Sequence, residues 1–233
     1  MKKLIQSKTI RRGIYVFIFW LVAMFVILYF HSLERKFWFS MGWNLLLAVI
    51  PVVLAFFASR MRSGWRWLVG FFSFIFVPNA YYLMTDLRHL VWLHPKPESV
   101  YVIASDEWDA LSGGSIWLSE MLLLGLGILG IICGVIALYL LIQMLAQRFR
   151  FSVKSVWAYA VALLMSLLSG YAIFLGRYPR LNSWEIVSQP FSSIRKLWQS
   201  SIELPEQAIF ITILYGAFIF GSIASVLYIM REK

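Results

Sequence analysis

The sequence has 233 residues, of which 61% are hydrophobic and only 14% charged, with a mean hydropathy of +0.77, far from the roughly 25% charged composition of soluble domains. Lipid must therefore be the solvent for most of the chain. The formal net charge of +10 does not indicate nucleic acid, because the basic residues sit in short segments beside apolar runs, as topology signals and anionic-lipid contacts do.

A bilayer span needs about 20 residues, which leaves room for five to seven helices and no separate soluble domain. Cys133 is the sole cysteine and lies in an apolar run, so an intramolecular disulfide and a Cys-rich metal site are excluded. The expected organisation is one integral membrane domain over residues 1–233. Its fold class is all-α, a polytopic transmembrane helix bundle.

In chain order, the first apolar stretch, 14–30, follows Lys2, Lys3, Lys8, Arg11 and Arg12. That layout is also the layout of a secretory signal, but the run is longer than the usual apolar core and no small-x-small site follows it, so retention is expected. Further stretches cover 41–58, 65–84, 117–146, 153–176 and 207–230. Each is predicted to span as a helix, since hydrocarbon offers backbone amides no outside partner. The fourth should rise about 45 Å and so tilt or project beyond the core.

Most of the 21 lysines and arginines fall on one side of a six-span arrangement with both ends in the cytoplasm. That side carries the five N-terminal cations, Arg60, Arg62, Arg66, Arg148, Arg150, Lys154, Arg231 and Lys233, as the positive-inside rule favours. Two long connections, 85–116 and 177–206, then face outward. In the second, Phe191, Ile194, Leu197, Trp198 and Ile202 share one helical face and Pro190 suits a first turn, so interfacial helices are expected in the outer loops.

Polar groups collect at this outer level: Asn44, Asn79, Glu120, Thr85, Asp86, Arg88, His89, Arg177, Arg180, Asn182 and Glu185. If the third helix persists, Asn79, Tyr82, Asp86 and His89 recur at spacings of 3, 4 and 3 on one face. Pro78 removes an amide donor to the Phe74 carbonyl and is expected to kink that helix. Arg177 and Arg180 leave the fifth helix together, positioned to clamp a phosphate or carboxylate.

Trp43-Asn44-Leu45 with Ala48 and Pro51, the block Pro78-Asn79-Ala80-x-Tyr82-x-x-Thr85-Asp86-Leu87-x-His89-Leu90, and Phe174-Leu175-Gly176-Arg177 followed by Arg180-x-Asn182-Ser183-Trp184 together resemble domain-of-unknown-function family 1361. The resemblance extends over most of the chain. It implies a multi-pass protein of a bacterial plasma membrane, and no activity comes with it. Glu185 stands where aspartate is commoner and keeps the carboxylate.

The plainer reading of Asn44 and Asn79 is interhelical hydrogen bonding, worth about 0.6 kcal/mol on average. For Asp86 and His89 it is a solvated helix end or ion pairs with Arg177 and Arg180. Without a His-Glu-x-x-His signature, no metal and no cofactor is expected. Glu120 near a helix N-terminus favours the dipole. Gly130 with Gly134, and Ala217 with Gly221, mark close helix packing, with oligomerisation as the lesser reading.

The leading expectation is a non-enzymatic protein with an outward-facing polar pocket built around Asn79, Asp86, His89, Arg177 and Arg180. Asn44, Tyr82, Thr85, Asn182 and Trp184 join them as ligand-binding candidates, and the ligand is a lipid head group, an envelope component or a partner protein. The alternative is an envelope enzyme acting on a phosphate-linked lipid, with Asp86 or Glu120 as base, His89 as acid or base and the arginines stabilising anionic charge. A small-solute permease is a third class, although no mid-span carboxylate supports proton coupling. No Gly-x-x-x-x-Gly-Lys-Ser/Thr loop points to nucleotide-driven transport.

Overall fold

The computed structural model describes residues 18, 20–27, 29, 36–61, 64–92, 116–181, 185 and 188–231. Regular structure among them is helical throughout, with no strand. The α-helices are α1 (Lys36–Arg60), α2 (Trp65–Tyr82), α3 (Ile116–Phe149), α4 (Val156–Arg177), α5 (Pro190–Glu203) and α6 (Pro205–Arg231), and a 3-10 helix, Leu83–Trp92, continues from α2. Residues 18, 20–27 and 29 are helical too.

Among the described residues, five segments are long and apolar enough to cross a membrane: Phe39–Arg60, Trp65–Leu87, Glu120–Phe149, Val156–Arg177 and Pro205–Met230. Such a set suggests a membrane protein. Part of the first expected span, 14–30, lies outside the described residues, as does the segment 93–115. Exposed surfaces agree with lipid as solvent, since Val53, Phe71, Leu164 and Ile213 all face outward. On a soluble monomer such continuous apolar surface would drive association.

The backbone forms two compact units, Met1–Leu46 with Asp86–Leu129, and Leu47–Thr85 with Gly130–Lys233. In the first, Met24, Met41, Leu45, Leu122, Leu123, Leu126 and Leu129 are buried. A Cβ on Gly125 would fall 2.6 Å from the Met24 methyl, so the N-terminal helical residues and α3 approach through that glycine.

In the second unit the core runs through Ala55, Val77, Tyr81, Leu138, Ile142, Ala162, Ile173, Ile219 and Ile223. Small residues set how closely its helices pack, because lipid tails supply no hydrophobic drive between helices and contact must come from fit. A Cβ on Gly170 of α4 would lie 2.6 Å from the Thr212 carbonyl and 2.7 Å from the Gly216 amide of α6. On α3, Gly134 lies under the Tyr81 ring and Gly130 under the Ala80 carbonyl and Leu83. Both glycines thus serve packing within the chain.

Two polar side chains of the second unit tie helices together. Ser73, fully buried, donates its hydroxyl to the Pro51 carbonyl at 2.8 Å, tying the second half of α1 to α2 where the proline interrupts the backbone ladder. The Tyr81 hydroxyl meets Ser222 Oγ at 3.1 Å.

The expected face of Asn79, Tyr82, Asp86 and His89 does not continue as an α-helix. From Leu83 the backbone tightens into a 3-10 helix, in which residues three apart eclipse. Asp86 therefore aligns with Leu83 and His89, while Thr85 aligns with Tyr82. The Thr85 hydroxyl donates to the Tyr82 carbonyl at 2.7 Å, occupying an acceptor at the point where the winding changes.

Helix α5 begins at Pro190, which occupies its first turn. Leu197 packs on a satellite cluster of Phe174, Leu175, Leu181 and Ala208, Ser193 is buried, and Ser201 is hydrogen-bonded to Tyr171. Phe191, Ile194, Trp198 and Ile202 all point away from the protein.

Candidate functional site

Asn44 stands on α1 and Asp86 on the 3-10 helix, both within the first compact unit. The Asn44 side-chain amide donates from Nδ2 to Asp86 Oδ2 at 3.2 Å. Asp86 is only 4% exposed, and its neighbour Thr85 equally so. A carboxylate so far removed from water needs donors or a counter-charge around it. Asn44 supplies one donor, and its own packing is fixed by Leu45, which is fully buried on the next position of α1.

Glu120 is half-buried near the start of α3. Asn79 is half-buried in the last turn of α2, one residue after Pro78. His89 and Arg88 lie on the 3-10 helix, and their side chains are outside the described set. Asn182 and Trp184 are outside it altogether.

In the second unit, the Tyr82 ring approaches α4 at Gly176, where a Cβ would come within 3.6 Å of it. The next residue, Arg177, is half-buried, and its Nη1 is shielded from solvent without a hydrogen-bond partner among the described residues. Arg180 is exposed and adopts a left-handed backbone, φ 53°. That turn lets the Leu181 amide reach back to the Leu175 carbonyl at 3.0 Å and buries Leu181 below it. The two arginines diverge as a result: one folds into the protein and the other stands in solvent.

Glu185 forms an ion pair with Lys196 of α5 at 3.3 Å. This contact, which spacing alone did not indicate, anchors the connection between α4 and α5. The Asn44 to Asp86 bond was likewise illegible as a pair, although both residues stood out singly. No group of three His, Cys, Asp or Glu side chains gathers in a metal-binding arrangement among the described residues.

A family model described as "Protein of unknown function (DUF1361)" matches residues 43–221. That interval contains all three sequence blocks around Asn44, Asn79 and Arg177, together with the paired residues Asn44 and Asp86. No curated protein and no solved structure matches the chain. With most of its length covered by the family model, including Asn44, Asp86 and Arg177, the chain belongs to the DUF1361 family.

Proposed function

We propose that the chain is a six-span protein of a bacterial plasma membrane, a single membrane domain with both ends in the cytoplasm, whose outward-facing polar cluster binds a lipid head group. An envelope component or a partner protein is the other occupant of the same cluster. The observation that carries this reading is the bond between Asn44 and Asp86, which holds a buried carboxylate at the end of a membrane-length segment. Polar groups kept at such depth are costly, and their usual return is a ligand or a structural partner.

The distribution of basic residues supports the orientation. Helix α5 fits the outer interface, its exposed apolar side toward lipid. The exposed Ala217 and Gly221 of α6, with open space where a Gly221 Cβ would stand, leave that face for an oligomeric contact.

Two measurements test the reading. In a Cys133→Ala background, a membrane-impermeant maleimide on intact cells should label Ser112→Cys and spare Ser152→Cys; the reverse overturns the orientation. Lipids retained by purified wild type should include a class lost in Asp86→Asn at equal membrane abundance. An unchanged lipid profile, with no partner protein lost either, overturns the binding role.

A further inference from the structure

Between α3 and α4, the short turn 150–155 borders a groove of about 620 Å³ lined by Arg150, Phe151, Ser152, Ser155, Trp157 and Val161, among others. We propose that this groove binds the phosphate of an anionic phospholipid, with Arg150 and Ser152 on the phosphate and an acyl chain against Trp157 and Val161. The inference rests on the reading of α3 and α4 as membrane-crossing helices. None of its lining residues belongs to the outward polar cluster.

The groove is amphipathic in the same sense as a lipid. Its polar groups come from the turn, and its apolar groups from Phe149, Phe151 and the first turns of α4. Beyond it the outer side of α4 stays apolar, with Val156, Trp157, Leu164 and Leu168 exposed in succession. An acyl chain leaving the groove therefore meets hydrocarbon-compatible surface all the way along the helix.

Charge selects the head group. Arg148, Arg150 and Lys154 stand within seven residues, and no acidic residue occurs between Glu120 and Glu185. Neither α3 beyond its start nor α4 carries a carboxylate, so the helices flanking Arg150 add no negative charge to the groove. A phosphodiester on a lipid of net negative charge suits the Arg150 guanidinium.

Hydrogen bonding in the turn is arranged to donate. Ser152 Oγ accepts the Lys154 amide at 3.1 Å, which fixes the oxygen and leaves the Ser152 O–H to donate outward. Ser155 Oγ is committed to the Ser152 carbonyl at 2.6 Å.

The backbone at Arg150 points the same way. Its φ of 57° places it in the left-handed position that ends α3, where the Phe151 amide closes back on the Ala146 carbonyl at 3.2 Å. Glycine is the favoured residue for that position. An arginine held there at the expense of backbone comfort marks its guanidinium as the part that matters, and it makes Arg150→Gly a substitution that the fold accepts.

The test is native mass spectrometry of the full chain in detergent, titrated with phosphatidylglycerol or phosphatidylcholine. Wild type should bind phosphatidylglycerol roughly tenfold more tightly, because the choline cation of phosphatidylcholine offsets the phosphate charge that Arg150 meets, whereas the glycerol head group leaves it uncompensated. Arg150→Gly should lose most of that preference with an unchanged or raised melting temperature, whereas Arg60→Gln, a charge removed from the end of α1, should keep it. Equal affinities in wild type, a preference preserved in Arg150→Gly, or an equal loss in Arg60→Gln would each overturn the site. Alkaline carbonate washing of membranes comes first: a chain released by it overturns the membrane reading itself, and a chain retained but indifferent to phosphatidylglycerol overturns the lipid site alone.

Discussion

Asn44 and Asp86 are 42 residues apart in sequence and 3.2 Å apart in space, with the Asn44 amide donating to the Asp86 carboxylate. The pair joins α1 to the 3-10 helix through a side-chain bond to a nearly inaccessible acceptor. Replacing Asn44 by Ala removes a donor from that acceptor, so the cost should be about 1–3 kcal/mol rather than the 0.6 kcal/mol average for neutral interhelical bonds, about twofold or more above it. Reversible unfolding in mixed detergent measures it. In Asn44→Ala/Asp86→Ala the loss should be less than the sum of the two single losses, as the coupling of a bonded pair requires.

The bond between Tyr81 and Ser222 is asymmetric. Ser222 Oγ also donates to the Ile219 carbonyl at 2.7 Å, whereas the Tyr81 ring is fully buried and its hydroxyl depends on Ser222. Tyr81→Phe leaves the serine satisfied and should cost about 0.5–1.5 kcal/mol, while Ser222→Ala strands a phenol and should cost about 1–3 kcal/mol. The same unfolding assay ranks the two. Equal or inverted costs would show that the hydroxyl finds another partner.

Two glycines with similar sequence settings should respond in opposite ways to one methyl group. At Gly134 the new Cβ overlaps the Tyr81 ring, which is enclosed on all sides and has nowhere to turn, so Gly134→Ala should destabilise by about 1–3 kcal/mol. At Gly221 nothing lies within 4 Å of the added atom, and Gly221→Ala should stay within about 0.5 kcal/mol. Melting temperatures in detergent give the comparison. A large loss at Gly221 only in membranes would instead reveal a second copy packed on α6.

Helix α5 should contact acyl chains through Ile194 and Ile202, and water through Gln199 and Arg195. Nitroxide labels on single cysteines at these positions report the two environments by collision with oxygen or with a water-soluble nickel chelate. Oxygen should dominate at Ile194→Cys and the chelate at Gln199→Cys. Matching accessibility at the two positions would place the helix wholly in water.

The five long apolar helices among the described residues were legible because apolar composition over about 20 residues admits few alternatives, and α5 because Pro190 and a 3.6-residue period agreed. The shared face of Asn79, Tyr82, Asp86 and His89 depended on the third helix persisting past 84, and the 3-10 winding of 83–92 does not meet that condition: a spacing of three and four fits either winding over so short a stretch, and the Thr85 hydroxyl bonds its local carbonyl where the winding changes. Leu197 was grouped with the outward apolar face of α5 yet packs inward, because the satellite cluster beneath it claims one edge of that broad face. The partner of Asn44 was hidden for a different reason. Long-range pairing depends on how helices pack, and periodicity reports only which side of a single helix is apolar. Left-handed arginines were equally invisible, since sequence signals for that conformation are written for glycine and asparagine.

Both non-glycine residues with positive φ among those described, Arg150 and Arg180, bracket α4. The helix between them has 22 residues and rises about 33 Å, close to the roughly 30 Å depth of a bilayer core. A piston stroke of even one turn would drag one guanidinium into oil as it freed the other, at the cost of a buried charge. Helix α4 is thereby moored at both shores, and any motion the protein uses must swing or rotate other elements around it.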